Sequence, residues 1–316
     1  MEAATVWAWR RAKAAHRAAN QALAALAPLD SPKGQGEFAY EWLDVVMNRM
    51  LLREPRRLRP NYLFGATYAA YTARNLGYKR ISLVEFGVAG GLGLVCLDRM
   101  APLLQEAFKL EVEVHGFDTG KGLPPPSDQR DSPSMWSAGD DKMDVPRLQA
   151  MLQHSQLHLG DVKHTVPTFV ASRPAPIAFI SFDLDYYSST IAALAVLDAD
   201  FDRILPRVVC YFDDIIGHTF TKFNGELLAI EEFNGKNPHR QLAVIRELRH
   251  FVRKSWREQG WPTQTYLMHS LEHPLYDAPD GTVVVPQLTL SGVPLEEARD
   301  FGHGATARVQ QSLSGR

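Results

Sequence analysis

The sequence predicts an α/β fold built on a doubly wound, mostly parallel sheet. From residue 80 onward, short runs rich in β-branched residues alternate with helical stretches, which is typical of βαβ units. The 316-residue chain is 45% hydrophobic and 22% charged, a composition that provides enough apolar surface for a sizeable core.

Residues 1–79 come before this pattern, and we expect them to form a helical extension or lid ahead of one domain over 80–316. Their hydrophobic spacing predicts three helices, over Ala3–Ala27, Glu37–Arg53 and Tyr62–Leu76. The basic stretch Arg53–Pro60 separates the last two helices and is interpreted as a solvated linker. The alternative is a cap or dimer arm whose arginines contact an acidic partner, so a homodimer is one expectation.

Seven short runs with high β-propensity are predicted to be strands. They are Ile81–Phe86, Glu113–Phe117, Gln156–Leu159, Ile177–Phe182, Val208–Phe212, Thr265–His269 and Thr282–Val285. Helical patterns fill most of the gaps, notably Gly93–Ala107, Ser189–Phe201, Gly225–Phe233 and Gln241–Gln259. Only a turn region separates the last two strands, so we expect them to pair antiparallel at one edge.

Charge and hydropathy exclude several classes of protein. The formal net charge of −2 argues against a nucleic-acid-binding protein that depends on a basic field. The sequence contains no run of about 18 apolar residues, which a membrane span would need. It also shows no apolar region of the kind that marks a secretory signal. Cys96 and Cys210 lie in apolar runs and are interpreted as reduced core thiols. We therefore expect a soluble, cytoplasmic protein.

A glycine-rich loop, VEFGVAGGLGL, follows the first strand and contains Glu85, Gly87, Ala89 and Gly91. Ligands of doubly wound sheets bind beyond the carboxyl ends of the strands. Small residues there let the backbone approach a ligand, and the next helix presents free N–H groups to a carboxylate or phosphate. The loop departs from the dinucleotide pattern because Ala89 stands at its second glycine, so another nucleoside-binding loop fits better. A plain tight turn is the alternative.

The second and third strands each end at an aspartate. Asp118 is placed to accept hydrogen bonds from both hydroxyls of a ribose, or to bond its own backbone in a turn. Its separation from the glycine loop is typical of one βαβ unit, which favours the ribose. Asp161 either accepts a hydrogen bond from an adenine amine or caps the next helix.

Four aspartates at the ends of the fourth and fifth strands are the most specific signal in the chain. FDLDYYSST contains Asp183 and Asp185, and YFDDI contains Asp213 and Asp214. Adjacent strand tips bring these carboxylates together, where they would repel one another without a positive charge between them. Oxygen ligands suit Mg²⁺ or another hard divalent cation. One aspartate of the first pair and both of the second can supply three ligands; Asp185 could instead cap a helix.

Two further residues are weaker candidates. Trp136, in the polar loop Ser127–Asp144, either stacks on an adenine or an acceptor or packs on the surface. His218 is either a general base or an exposed loop histidine.

Taken in order, these motifs resemble the class I S-adenosylmethionine-dependent methyltransferases. They are most similar to the metal-dependent macrocin O-methyltransferase family, which methylates sugar hydroxyls of natural products. The similarity extends from about Val84 to Ile215 through VEFGVAGG, GFDTGKGLP, LGDVKHTVPTFV, FDLDYYSST and YFDDI. The superfamily loop often has glycine where Ala89 stands.

The resemblance implies a Rossmann-like sheet of seven strands with the last pair antiparallel. It implies that the Glu85–Gly91 loop binds the methionine part of S-adenosylmethionine and that Asp118 binds its ribose. It also implies that Asp183, Asp213 and Asp214 hold the metal ion, and that Asp185 accepts the proton of the acceptor hydroxyl. Asp161 and Asp183 complete the expected donor site.

The sequence therefore predicts a divalent-metal-dependent O-methyltransferase that acts on a small hydroxylated molecule, such as a sugar or a natural-product glycoside. Two alternatives stay open. One is a metal-dependent glycosyl- or phosphotransferase that uses the Asp-Leu-Asp motif, although this gives no role to the glycine loop. The other is a non-catalytic nucleoside-binding regulator of the same fold. No nucleic-acid or membrane partner is expected.

Overall fold

A computed structural model describes residues 39–55 and 58–280 of the chain. At its centre is a seven-stranded sheet with the order β3-β2-β1-β4-β5-β7-β6. The strands are β1 (Arg80–Phe86), β2 (Glu111–Asp118), β3 (Ser155–Leu159), β4 (Ile177–Phe182), β5 (Ile204–Phe212), β6 (Arg240–Val244) and β7 (Thr265–Ser270). The first five strands are parallel, and β7 pairs antiparallel with both β5 and β6. The predicted fold class, including the antiparallel last pair, is confirmed.

Seven α-helices of the described part of the chain accompany this sheet. They are α1 (Ala39–Arg53), α2 (Pro60–Asn75), α3 (Leu92–Phe108), α4 (Val145–Met151), α5 (Val162–Ala171), α6 (Tyr187–Ala193) and α7 (Gly225–Lys236). Helix α2 is buried at every position from Asn61 to Ala73. Its small alanine and glycine side chains allow this close approach to the sheet, and Gly65 lies against the ring of Phe179 in β4. None of the helices in residues 39–55 and 58–280 has the length and apolar character needed to cross a membrane.

The prediction of a helix over Gln241–Gln259 is wrong. The segment begins with strand β6 and continues through short 3₁₀ turns, such as Leu248–His250. Strand pairing with β7 outweighs the local helical pattern. The side chain of Asn234 reinforces the strand, because its amide donates to the Leu242 carbonyl (2.8 Å) and its oxygen accepts from the Leu242 N–H (2.7 Å).

Other boundaries differ in smaller ways. The helix predicted over Ser189–Phe201 is shorter, because α6 ends at Ala193 and a 3₁₀ turn follows. Helices α4 and α5 were not singled out from the sequence. The helix predicted over Ala3–Ala27 and the strand predicted over Thr282–Val285 lie outside the described residues.

An aromatic layer lies at the carboxyl ends of the central strands. Phe86 contacts Phe117 and Phe182, with ring centroids 4.9 and 5.5 Å apart, and Phe182 stacks on Phe212 at 4.7 Å. All four rings are fully buried. Because each ring comes just before a loop at the strand ends, the layer forms a rigid apolar floor beneath those loops.

A partly buried pair of histidines joins β2 to β3, on the opposite side of β1 from β4. His115 Nδ1 lies 3.2 Å from His158 Nε2, and the His158 ring stacks on Phe117. Burial, followed by the neighbouring His158, lowers the pKa of His115 to about 4. His115 is therefore neutral in the folded protein at pH values where an unfolded chain would be protonated.

We expect the contribution of His115 to the free energy of unfolding to fall as the pH drops from about 6.5 to about 4. Within that window His115 is protonated in the unfolded state but stays neutral in the folded state. This difference lowers the free energy of unfolding by about 3 kcal/mol at pH 4. Urea unfolding at several pH values measures this slope. The stability of the wild type relative to His115→Gln should fall by about this amount as the pH drops, whereas its stability relative to His164→Gln, an exposed control on α5, should not change. Equal slopes in all three proteins would contradict the assignment.

Candidate active site

A cavity of about 380 Å³ lies beyond the carboxyl ends of the first five strands. It sits where the strand order reverses, since β1 has β2 on one side and β4 on the other. Seven aspartates line it: Asp118, Asp141, Asp161, Asp183, Asp185, Asp213 and Asp214. Among the described residues of its lining, Lys163 is the one lysine or arginine. The cavity is therefore strongly acidic, and a cationic ligand suits it.

Strand register brings the glycine loop against the acidic loops. Phe86, Phe182 and Phe212 are aligned across β1, β4 and β5. The ladder continues one step further, because the N–H of Asp183 donates to the Phe86 carbonyl and the N–H of Asp213 donates to the Phe182 carbonyl, both at 3.0 Å. The residues that follow the three strands consequently lie side by side.

Gly87 follows β1 and has a φ of 81°. A Cβ atom there would overlap the carbonyl oxygen of Asp183. Only glycine allows this contact between the glycine loop and the first acidic loop without displacing one of them.

Asp118 braces the glycine loop. Its Oδ2 accepts hydrogen bonds from the N–H groups of Val88 (3.0 Å) and Ala89 (2.9 Å), and its Oδ1 accepts from Gly120 (2.6 Å). These bonds hold Ala89 at a φ of 45°, in the left-handed region that favours glycine. Three of about four lone-pair positions are thus in use, which leaves one for a ligand hydroxyl.

Glu85 lies behind the glycine loop and does not line the cavity. Its Oε1 accepts a hydrogen bond from the Tyr62 hydroxyl at 2.5 Å, and that hydroxyl accepts one from Ser181 at 2.9 Å. Burial raises the pKa of Glu85 to about 8. Through its hydrogen bond to Tyr62, and that of Tyr62 with Ser181, Glu85 links helix α2 to β1 and β4, beneath the expected donor site. Gly91 is the N-cap residue of α3 and has a φ of 86°.

Asp161 and Trp136 both line the cavity. The Asp161 side chain caps α5 by accepting from the N–H of Lys163 at 2.9 Å, so the capping interpretation describes it in this structure. The indole Nε1 of Trp136 is shielded from solvent and has no hydrogen-bond partner. Trp136 therefore borders the cavity, while its indole N–H is buried. His218 is exposed and outside the lining.

The four predicted acidic residues all line the cavity, and the pKa values of three of them are raised. Burial, then repulsion from Asp213 and Asp214, raises the pKa of Asp183. Burial and repulsion from Asp185 likewise raise the pKa of Asp214, and burial with repulsion from Asp183 raises that of Asp185. Asp185 also has a φ of 60°, a strained backbone conformation for an aspartate. Such a concentration of perturbed carboxyl groups marks a functional site more often than a structural one.

The carboxyl groups of the cluster do not adopt the geometry of a complete metal-binding site in this structure. Among residues 39–55 and 58–280, no group of three or more His, Cys, Asp or Glu side chains is arranged to hold a metal ion. Asp213 Oδ1 accepts from the Tyr211 hydroxyl at 2.6 Å, whereas Asp214 Oδ2 is buried without a hydrogen-bond partner. The donor atoms are nevertheless all carboxylate oxygens, and an unpaired buried oxygen is what a hard cation would satisfy.

Three residues of the site carry no clear signal in the sequence. Asp141, in the loop after β2, faces the acidic cluster and adds to the repulsion on Asp183 and Asp185. Arg59 comes from the basic stretch; its guanidinium lies over the Tyr62 ring, and its charge acts on Asp183 and Asp213. Glu226, in the first turn of α7, is fully buried behind the acidic loops. Each of them reaches the site through tertiary packing from a distant segment.

Comparisons with known proteins give structural similarity only. No protein-family model matches the chain, and a search of curated proteins finds no match. The solved structure of CalS11, a calicheamicin methyltransferase, is similar over 69% of this chain and 95% of its own, with 23% identity and a TM-score of 0.46. The O-methyltransferase NovP is similar over 52% and 68%, with 18% identity and a TM-score of 0.40. MycE, a mycinamycin-pathway methyltransferase solved with Mg and SAH, is similar over 80% and 56%, with 13% identity and a TM-score of 0.37.

Replacing Gly87 by alanine should destabilise the protein far more than the backbone strain of a positive φ alone would. Gly77 is the matched control, since its φ of 85° is equally unfavourable for alanine while a Cβ there meets nothing within 4 Å. We expect Gly77→Ala to cost roughly 1–2 kcal/mol of unfolding free energy. Gly87→Ala should cost about 4 kcal/mol or more, because it also separates two loops. Urea unfolding measures both, and equal losses would show that the Gly87–Asp183 contact is dispensable.

Proposed function

We propose that this chain is an S-adenosylmethionine-dependent, divalent-metal-dependent O-methyltransferase that acts on a hydroxyl of a small molecule such as a sugar or a natural-product glycoside. The observation that carries the proposal is that the glycine loop and the acidic cluster line one cavity and touch through Gly87 and Asp183. A methyl donor held by the first would lie beside an acceptor held by the second. The match of the motifs to the macrocin O-methyltransferase pattern supports the same assignment.

The donor half of the site suits a nucleoside with a cationic sulfur. The Gly87–Gly91 loop and the N-terminus of α3 would hold the amino-acid end, and the free acceptor position on Asp118 would take a ribose hydroxyl. Asp161 and Trp136 border the same cavity and would contact the base. The surrounding aspartates favour a sulfonium electrostatically over a neutral analogue.

The acceptor half suits a divalent cation and a hydroxyl. Asp183, Asp213 and Asp214 would hold the cation, and the unpaired Oδ2 of Asp214 supports this ligand set. The cation, when bound, would lower the pKa of the acceptor hydroxyl and orient it. Its charge would also offset the mutual repulsion of the aspartates.

Asp185 is the residue that we assign as the general base. It lines the cavity next to the proposed cation ligands, within the same loop as Asp183. Its carboxylate would take the hydroxyl proton as the acceptor oxygen attacks the methyl carbon and the carbon–sulfur bond breaks. General-base catalysis of this kind contributes about 10²–10⁴-fold, and alignment of the two reactants contributes up to roughly 7–11 kcal/mol.

Calorimetric titration with S-adenosylhomocysteine, with and without Mg²⁺, tests the donor assignment directly. We expect binding in both conditions, and transfer of an isotopically labelled methyl group to a hydroxylated acceptor only when Mg²⁺ is present. Binding of a nucleotide sugar but not of S-adenosylhomocysteine would favour a glycosyltransferase instead. Donor binding without transfer to any acceptor in a broad panel would favour a non-catalytic regulator.

The Asp213→Asn variant tests the metal assignment. Asparagine keeps the shape and can still accept the Tyr211 hydrogen bond through its Oδ1, but it loses the charge. We expect turnover to fall by about 10³-fold or more, while the affinity for S-adenosylhomocysteine stays near that of the wild type. Asp202→Asn is the control, because Asp202 is exposed just before β5, at the opposite end of that strand. Full activity of Asp213→Asn would refute the metal role.

A further inference from the structure

We propose that Glu226 is a positioning residue that holds the two acidic loops in the geometry needed to bind the cation. The inference rests on the proposed function for its consequence, but the contact itself belongs to the fold. Glu226 does not line the cavity, so its effect on binding would pass through the residues it holds. Neither the glycine loop nor the aspartate motifs point to it.

The Glu226 carboxyl group bridges the loops that follow β4 and β5. Its Oε1 accepts from the N–H of Leu184 at 3.3 Å, and its Oε2 accepts from the N–H of Asp214 at 3.1 Å. Leu184 lies between Asp183 and Asp185, so one oxygen serves each acidic pair. Glu226 is 0% exposed, so water does not compete for its two oxygens.

The bridge acts where the sheet no longer can. The last ladder bond between β4 and β5 runs from Asp213 to Phe182. Beyond it, the N–H groups of Leu184 and Asp214 would be buried without partners, a cost of about 1–3 kcal/mol each. One carboxyl group with two oxygens satisfies both and fixes the spacing of the loops.

The start of helix α7 keeps Glu226 in place. Asn224 comes just before the helix; its amide donates to the Ser132 hydroxyl and the Thr219 carbonyl, both at 2.9 Å, and its oxygen accepts from the Thr221 N–H at 2.8 Å. Gly225 follows with a φ of 55°. These contacts also tie the first turn of α7 to the loop after β2. The backbone that carries Glu226 is therefore fixed without a bound ligand.

Substitutions of Glu226 remove a defined number of hydrogen-bond acceptors. Glu226→Gln keeps the size of the side chain but has one acceptor oxygen, so its amide group must face one of the two N–H groups. Glu226→Ala loses both acceptors. Glu231→Gln is the matched control, since Glu231 lies on the exposed side of the same helix.

Amide hydrogen exchange of the metal-free protein tests the bridge itself. In Glu226→Gln and Glu226→Ala we expect the N–H groups of Leu184 and Asp214 to exchange faster by about tenfold or more. The N–H groups of Asp183 and Asp213, which donate to strand carbonyls, should remain protected. Unchanged exchange at Leu184 and Asp214 would overturn the proposal. If the alanine variant does not fold, the glutamine variant decides.

Cation and donor binding test the consequence. We expect Mn²⁺ affinity, measured by electron paramagnetic resonance, to fall by about 10–100-fold in Glu226→Gln. Affinity for S-adenosylhomocysteine should stay within about twofold, because Asp183 remains tied to β1 through the bond from its N–H to the Phe86 carbonyl. A parallel loss of both affinities, or no loss of either, would overturn the positioning role. If the wild type binds neither ligand, the proposed function fails while the exchange result still stands.

Discussion

Alignment of three strand ends is the constraint on which the rest of this site depends. β1, β4 and β5 stop at the same level, at three buried phenylalanines, and the ladder continues by one hydrogen bond on each side of β4. A slip of one residue in either pairing would turn the aspartates toward the opposite face of the sheet. The apolar core and the acidic cavity are therefore consequences of one register, and the aromatic rings that fix it are the ones on which the loops rest.

The same register has an electrostatic cost. Five carboxylates from three loops face one another at a partly buried edge, and burial together with repulsion raises the pKa values of three of them. A buried carboxyl group is stable only when it is protonated or paired with a positive charge, so a cationic ligand would stabilise this cluster. The acidic cluster therefore destabilises the ligand-free protein, and a cation bound as in the proposed function would offset that cost.

Residues that are close in sequence were the predictable part. The strands from β1 to β5, the glycine loop and the four aspartates follow from local patterns, because each motif comes directly after a run of buried residues. The sequence also predicted an antiparallel edge but missed β6, which carries a helical pattern and becomes a strand through its pairing with β7. Asp141, Arg59 and Glu226 were not predictable, since each contributes to the cavity through contacts with residues far away in the chain. A glutamate in the first turn of a helix is ordinary, and nothing in the sequence indicates which backbone groups it will meet.

The bond pair between Asn234 and Leu242 has a consequence for assembly. Among residues 39–55 and 58–280, β6 is the outermost strand on its side of the sheet, and an unpaired strand edge can accept a strand from another molecule. At Leu242 the outward-facing N–H and carbonyl are both occupied by the Asn234 amide, which acts as a one-residue substitute for a neighbouring strand. Sheet extension between molecules, whether in a dimer or in an aggregate, is therefore blocked at the middle of this edge.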